Sequence, residues 1–425
     1  MVGAMQPLLA PLVSLSIAVQ LLAHAPVANG EIISLDGDAW QLRKKSSDDS
    51  QPSLPAAVPG TVQGALFAAG MAPDPQFGRN QLEVYVDATT DTYIYSTQFS
   101  SPPGCSAEGV RCELVFDGID TAATVRINGV IVGKANDMHL RFVFDITPHL
   151  AVGQGSQNNS LEVEIEPAVS YARAEAARIG DPNCTKHTRT YWPEKWGHGT
   201  ECSGYIRKNT GSFGWDCAPA YMSSGIWRPV TLRIVEGATI DMVAPQISGT
   251  VDPLHPEASN RFAVEVRVFL EAAVARSAIV SVSGSWSPEA TKSISVDLQP
   301  STANAPQLVT IALNAQNVQL WWPNGMGPST QILYNLTTTL ALTQHVGDEQ
   351  NLPSTVVSQV TQQVGFRTFD FVGSVGNGTA RHGDRNASLW FKVNGAPLYS
   401  KGNNWMPISV LTADDASYKA KTVAR

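Results

Sequence analysis

The chain has 425 residues, which at about 150 per domain predicts about three domains and ample length for buried cores. Hydrophobic residues make up 43% and charged ones 16%, which excludes a charge-rich disordered tail protein. Lys+Arg 29 against Asp+Glu 37 gives a net charge of −8 with no basic run, so no nucleic-acid partner is expected. No apolar run reaches ~18 residues, so no membrane span is expected either.

From Leu8 to Leu22 the chain is mostly Leu, Val, Ala, Ser and Ile, followed by Ala23-His24-Ala25 and Val27-Ala28-Asn29-Gly30. This resembles a secretory signal peptide, although no Lys or Arg precedes the apolar stretch. Pro7 and Pro11 would break the start of the alternative, a buried N-terminal helix. Residues 1–30 are therefore read as a signal peptide removed near Ala25 to Gly30.

Residues 31–237 read as a β-sandwich of jelly-roll type with long loops. Strands are predicted at Tyr93–Phe99, Glu113–Phe116, Thr124–Ile127 and Leu161–Ile165. Asn128-Gly129 predicts a type I′ hairpin turn, because both residues tolerate φ > 0. A helix is predicted over Ala168–Arg178, after Pro167 and before Gly180. Cys105 and Cys112 flank a turn-rich link and form the first candidate disulfide. Cys184 and Cys202 bracket a polar aromatic loop and form the second, which leaves Cys217 over. No His spacing around the cysteines matches a zinc site, so no metal is expected. Sequons at Asn158, Asn183, Asn335, Asn377 and Asn386 are candidate glycan sites in a secreted chain.

Residues 238–375 read as an immunoglobulin-like sandwich without the usual Cys…Trp…Cys spacing. Its predicted strands are Arg261–Phe269, Ala278–Val282, Leu308–Leu313 and Ile332–Thr338. Ser374–Asn386 reads as a boundary loop. In residues 376–425, Leu389–Val393 and Pro397–Tyr399 flank a second Asn-Gly turn, Asn394-Gly395. A helix is predicted over Ala413–Val423. Strand, loop and helix open an α/β unit, and a lone unit cannot bury its faces, so a truncated domain is expected.

Several stretches then resemble β-mannosidases of glycoside hydrolase family 2. The main ones are Ser212-Phe213-Gly214-Trp215-Asp216 and Ser224-Gly225-Ile226-Trp227-Arg228-Pro229-Val230. Val58-Pro59-Gly60-Thr61-Val62, Asp117–Ala123, Leu320–Gly325, Val364–Thr368 and Phe391–Gly395 support them, in the family's order. The resemblance implies a mostly β chain: a jelly-roll sugar-binding domain, an immunoglobulin-like sandwich, then the first strand and helix of a (β/α)₈ barrel. It implies exo-acting, retaining hydrolysis of terminal β-mannosides of glycans, which requires two carboxyl groups about 5–5.5 Å apart. In the family both sit on later barrel strands, so no catalytic residue is assigned and the chain by itself is expected to be inactive. The only Asn-linked acid of interest, Asn136-Asp137, falls in a jelly-roll loop.

The resemblance makes Trp215 and Asp216 substrate-binding: an indole can stack on a pyranose and a carboxylate can accept from two hydroxyls. Asn404 and Trp405 match the end of the first barrel strand and are two further sugar contacts. Trp321-Trp322-Pro323 is read as inter-domain packing. The chain departs from the family at Cys217-Ala218, where a second Trp and Gly are usual, and at Ser409, near a usual Asp. The implied partners are β-mannoside-terminated oligosaccharides, with no cofactor, in the lysosome, vacuole or outside the cell. The alternatives are a secreted non-catalytic carbohydrate-binding or interaction module, or another family 2 exo-β-glycosidase.

Overall fold

Alternation with a period of two builds this chain. In Asn158–Ile165 every second residue, Asn159, Leu161, Val163 and Ile165, is buried, and the intervening ones are exposed or half-buried. The computed structural model describes residues 32–45, 52–75, 77–80, 84–85, 90–151, 158–185, 200–214, 220–328, 331–343, 355–373 and 389–404. The signal region 1–30, the boundary loop 374–386, Cys217, Ser409 and the helix expected over 413–423 lie outside the described residues.

The first part runs β1 (Ile32–Ser34), β2 (Gly37–Lys44), β3 (Leu54–Val58), α1 (Val62–Ala68), β4 (Tyr93–Ser100), β5 (Val110–Phe116), β6 (Ile119–Asp120) and β7 (Ala123–Ile127). It continues with β8 (Val130–Ala135), β9 (Phe142–Asp145), β10 (Asn158–Ile165), α2 (Ala168–Arg178), β11 (Gly225–Ile226) and β12 (Val230–Glu236). A four-stranded sheet, β1-β12-β5-β9, faces a six-stranded one, β3-β2-β4-β10-β7-β8. Trp40, Leu42, Tyr95, Leu114, Phe116, Ile127 and Leu161 are fully buried between them. Each such side chain stabilises by about 1.5–3 kcal/mol relative to exposure. The Asn128-Gly129 turn has φ 51° and 79°, as a type I′ turn requires. Asn128 also accepts from the Ser160 N–H at 2.9 Å and donates to Asn159 Oδ1 at 2.9 Å, which pins the hairpin to β10. Helix α2 has the limits the sequence predicts, and it buries Ala168, Val169, Ala172 and Ala176 along one face.

The second part holds β13 (Ala238–Val251), β14 (Asn260–Ala272), β15 (Arg276–Gly284), β16 (Thr291–Leu298), β17 (Gln307–Gln316), β18 (Tyr334–Leu342) and β19 (Thr355–Val364). Sheet β13-β14-β17 packs on sheet β16-β15-β18-β19, an immunoglobulin-like arrangement. Its core is separate and centres on Val264, Val266, Val268, Val280, Ile311, Leu336 and Phe366. Trp322 is buried in this core and donates to Glu257 at 2.8 Å, and the Trp321 carbonyl accepts from Asn394 at 3.0 Å. The Trp-Trp pair therefore joins the second core to the following hairpin.

That hairpin is β21 (Leu389–Val393) and β22 (Ala396–Leu398), paired antiparallel with β20 (Phe369–Gly373). Its Asn394-Gly395 turn has φ 50° and 79°. Residues 401–404 carry no strand pairing among the described residues, and Trp405 and the rest of the expected barrel strand and helix lie outside them. The start of a barrel is not seen among the described residues.

The two large cores do not merge. Charges cross between them: Arg111 of β5 and Arg233 of β12 reach Glu271 of β14 at 2.7 and 2.6 Å. Gly237, at φ 70°, turns the chain from β12 into β13 and donates its N–H to the Gly109 carbonyl at 3.0 Å.

Both expected disulfides form, with Cα separations of 5.7 Å for Cys105–Cys112 and 5.2 Å for Cys184–Cys202. Cys105–Cys112 closes the connection between β4 and β5, and both residues are buried. Loop-closure entropy for this short link predicts a loss of about 2–3 kcal/mol when both cysteines become Ala. The urea midpoint should fall with the m-value unchanged. An unaltered midpoint would refute this.

Candidate functional site

The segment 215–219, which carries Trp215 and Asp216, lies outside the described residues, but the structure describes both of its ends and what holds them. Before it, Asn209 caps a short 3₁₀ turn, Thr210–Phe213, by accepting from the Gly211 N–H at 3.0 Å. Gly214 follows at φ 100°, a conformation that a side chain would strain. After it, the N–H groups of Tyr221 and Met222 both donate to the Ser212 carbonyl, at 3.0 and 2.9 Å. One carbonyl thus closes the loop at its base.

Lys208 ties the same two legs to the sandwich. Its Nζ lies 2.6 and 2.5 Å from the two Asp120 carboxylate oxygens and 2.5 Å from the Ser223 carbonyl. Asp120 stands on β6, which pairs with β11 just beyond the loop. Thr121 and Ser223 hydroxyls also donate to Asp120. The side chains of Lys208 and Asp120 are both 0% exposed. Burial lowers the Lys208 pKa below the usual lysine value, against the pull of Asp120. Dehydrating two ions costs several kcal/mol each, and the bidentate contact with its added hydrogen bonds offsets that cost.

A third, small core braces the loop from the other side. Phe213, Ala220 and Met222 pack with the Cys184–Cys202 disulfide and the buried face of α2. Asp181 holds the start of this disulfide loop by accepting from the Thr185 N–H at 2.9 Å and from the Tyr205 hydroxyl.

The sequence stretches that signalled a family converge here. The Gly60 N–H donates to the Ile226 carbonyl and the Val62 N–H to the Ser224 carbonyl, both at 2.8 Å. Gln63 accepts from the Ser224 N–H at 3.4 Å. Gly118 lies under the Trp227 indole, where a Cβ would meet Nε1 at 2.6 Å. Trp227 in turn donates to the Met138 carbonyl at 3.0 Å and stacks on the Arg228 guanidinium at 4.3 Å. A second convergence joins Leu320–Gly325, Val364–Thr368 and the Asn394 turn. There the Trp321 N–H donates to the Phe366 carbonyl at 2.8 Å, and the Thr368 N–H donates to Asn394 Oδ1 at 2.9 Å.

Of the four sugar-contact candidates, Asn404 is described and exposed, while Trp215, Asp216 and Trp405 lie outside the described residues. Asp137 accepts from the His139 N–H at 2.8 Å and pairs with Arg207 at 3.2 Å, so it is spent on loop structure. Asn158, Asn183 and Asn335 are exposed, and Asn377 and Asn386 lie outside the described residues. Sequence reasoning gave Asp120 and Lys208 no role. The available signal was an acid inside the apolar run Ile119–Ala123; Lys208 carried none. Among the described residues no group of three His, Cys, Asp or Glu is placed to hold a metal, and no helix is long and apolar enough to cross a membrane.

The chain is similar to known proteins along most of its length. The chain is 30% identical over 387 residues to β-mannosidase of Mus musculus, covering 90% of this chain and 39% of that protein. It is 26% identical over 373 residues to β-mannosidase B of Aspergillus terreus, covering 87% and 38%. Among solved structures it superposes on β-D-mannosidase of Dictyoglomus thermophilum with a TM-score of 0.66 at 25% identity, covering 90% of this chain and 41% of that one. The chain thus spans about two-fifths of the length of these relatives. Residues 40–228 match the family model described as glycosyl hydrolase 2 galactose-binding domain-like, and residues 250–367 match that of glycosyl hydrolases family 2. Together the two models take in most of both sandwiches, including the legs of the braced loop, and the chain belongs to glycosyl hydrolases family 2.

Proposed function

We propose that this chain is the substrate-recognising N-terminal part of an exo-acting, retaining β-mannosidase that removes terminal β-mannosyl residues from glycans. The observation that carries the reading is the continuous similarity to β-mannosidases over nine-tenths of the chain. The braced loop supports it, because sugar contacts must be pre-positioned to act on a transition state. In this reading Trp215 stacks on the ring of the terminal sugar and Asp216 accepts from two of its hydroxyls. Asn404 donates to a further hydroxyl, and Trp405 forms a wall. The acid/base and nucleophile belong to a part of the enzyme that these 425 residues do not supply. Two disulfides support folding in an oxidising compartment of the secretory pathway.

Asp216→Ala in the full gene product tests the sugar contact. Losing one charge-assisted hydrogen bond should lower kcat/KM on an aryl β-mannoside about ten- to a hundredfold. The Tm should stay put, because the proposal gives Asp216 no partner but the sugar. A lower Tm with normal kinetics would sink the assignment. Lys208→Met should behave in the opposite way. It leaves the Asp120 carboxylate buried and unpaired, which should cost about 3–5 kcal/mol of stability. A Tm within experimental error of the wild type would remove Lys208 from the brace. Finally, residues 1–425 expressed alone should give no turnover of an aryl β-mannoside above a host-cell control. Measured turnover would show that the chemistry lies within this chain.

A further inference from the structure

Of the sequons within the described residues, two lie in strands: Asn158-Asn159-Ser160 in β10 and Asn335-Leu336-Thr337 in β18. The third, Asn183-Cys184-Thr185, is built differently. Its central residue is bonded to Cys202, and both cysteines are buried. Asp181-Pro182-Asn183-Cys184 forms a β-turn, closed by the Cys184 N–H donating to the Asp181 carbonyl at 2.9 Å. An acid suits the first position of such a turn, and Pro182 presets φ at the second. Cys184 leaves the turn at φ 53°, in the left-handed region that few residues other than glycine adopt. The Asp181 carboxylate takes up the rest of the motif. It accepts from the Thr185 N–H at 2.9 Å and from the Thr185 hydroxyl at 2.8 Å. Its other oxygen accepts from the Tyr205 hydroxyl, on the same short segment as Cys202, Thr200–Tyr205. Both legs of the disulfide loop therefore meet at this carboxylate.

A glycan is attached to the Asn amide, and the hydroxyl two residues on is part of the motif that is recognised. An enzyme that reads both groups has to grip the backbone between them. In the closed loop that backbone is committed, and so is the hydroxyl. The Asn183 side chain is exposed, so the obstacle is the fixed shape of the two residues after it rather than burial of the acceptor. With Cys184 a free thiol, only a few local hydrogen bonds hold the turn, and such structure opens at little cost. We propose that the Cys184–Cys202 disulfide gates modification of Asn183: the sequon accepts an oligosaccharide while Cys184 is a thiol, and closure of the disulfide shuts it and leaves Asn183 bare. The proposal rests on folding in the secretory pathway.

The two steps compete for one segment. In the transfer, a lipid diphosphate-linked oligosaccharide is the donor. The bond from Asn183 Nδ2 to the sugar C1 forms, the C1–O bond to the diphosphate breaks, the lipid diphosphate leaves, and the amide nitrogen loses one proton to solvent. In the closure, Cys184 and Cys202 lose two protons and two electrons to a disulfide oxidant, which becomes two thiols. The cysteines are 18 residues apart, so Cys202 follows Cys184 during synthesis by about 1–4 s at about 5–20 residues per second. Disulfide formation starts on the same scale of seconds. The sequon of Asn335 meets no such competitor: its strand pairs with β15 and β19 through hydrogen bonds alone. A bare Asn183 also keeps a bulky oligosaccharide off the third core, on which the legs of the braced loop rest.

The test is glycopeptide mass spectrometry on the full gene product made in a eukaryotic host, with occupancy read at every sequon of one sample. Wild type is compared with Cys202→Ala, which leaves Cys184 a thiol. Occupancy at Asn183 should rise severalfold in the variant, from a minority to a majority of molecules, while Asn335 stays unchanged. If Cys202→Ala is degraded, a membrane-permeant dithiol added during a short labelling pulse keeps wild-type Cys184 reduced, and it should raise Asn183 alone in the same way. Equal occupancy at Asn183 with and without the disulfide, or an equal rise at every sequon, would overturn the gate. Full occupancy at Asn183 in the disulfide-bonded wild type would overturn it as well. A protein with no glycan at any sequon would overturn the secretory reading and the gate together, whereas glycan at Asn335 with no response at Asn183 counts against the gate alone.

Discussion

Two hydrophobic cores that do not merge need something directional to fix one against the other, and here it is a buried cluster of guanidinium and carboxyl groups. Apolar contact alone is non-directional and would allow the sandwiches to slide. Forked Arg–carboxylate bonds allow few orientations. Glu271 is gripped by two arginines from neighbouring strands of the first sandwich, and it emerges from the end of β14 in the second. Buried ion pairs contribute little net stability against an apolar replacement, so the gain lies in geometry. That geometry sets where the braced loop of the first sandwich stands relative to the hairpin packed on the second.

The same economy appears at the loop. Lys208 reaches both legs, through its own backbone position and through the Ser223 carbonyl, and anchors them to Asp120 on a strand. A loop whose base is held this way needs less ordering by any ligand that meets it, so less binding energy goes into immobilising protein. The buried glutamine at position 63 plays a smaller part by holding the Met222 carbonyl and the Ser224 N–H from the start of α1.

Much of the fold was legible. The Asn-Gly turns at 128 and 394, the limits of α2, both disulfides and the central strands β4, β10, β14 and β15 follow from local chemistry. The strands left unread are mostly at sheet edges. β13 contains Pro245 and Gly249, which an edge strand tolerates and a central one would not. β16 reads Thr291-Lys292-Ser293 at its start and is half in solvent, so its alternation is weak. β12 is a different case: it is central, and its alternation is short and follows a long irregular loop. The family resemblance located the loop but not its support. Asp120, Lys208, Asp241 and Glu271 are far apart in sequence, and single acids in strands do not announce their partners. Asp241 meets Arg233 at 3.0 Å beside a bulge that is visible only as a ladder slipped between Ile240 and Met242.

The small third core has an evolutionary consequence. The excursion between β10 and β11 folds on its own disulfide and on the alanine face of α2. Substitutions at its tip therefore need not propagate into either sandwich, whose packed interiors tolerate change poorly. Such an insert can drift, and its tip can be reselected for another ligand while the scaffold stays fixed.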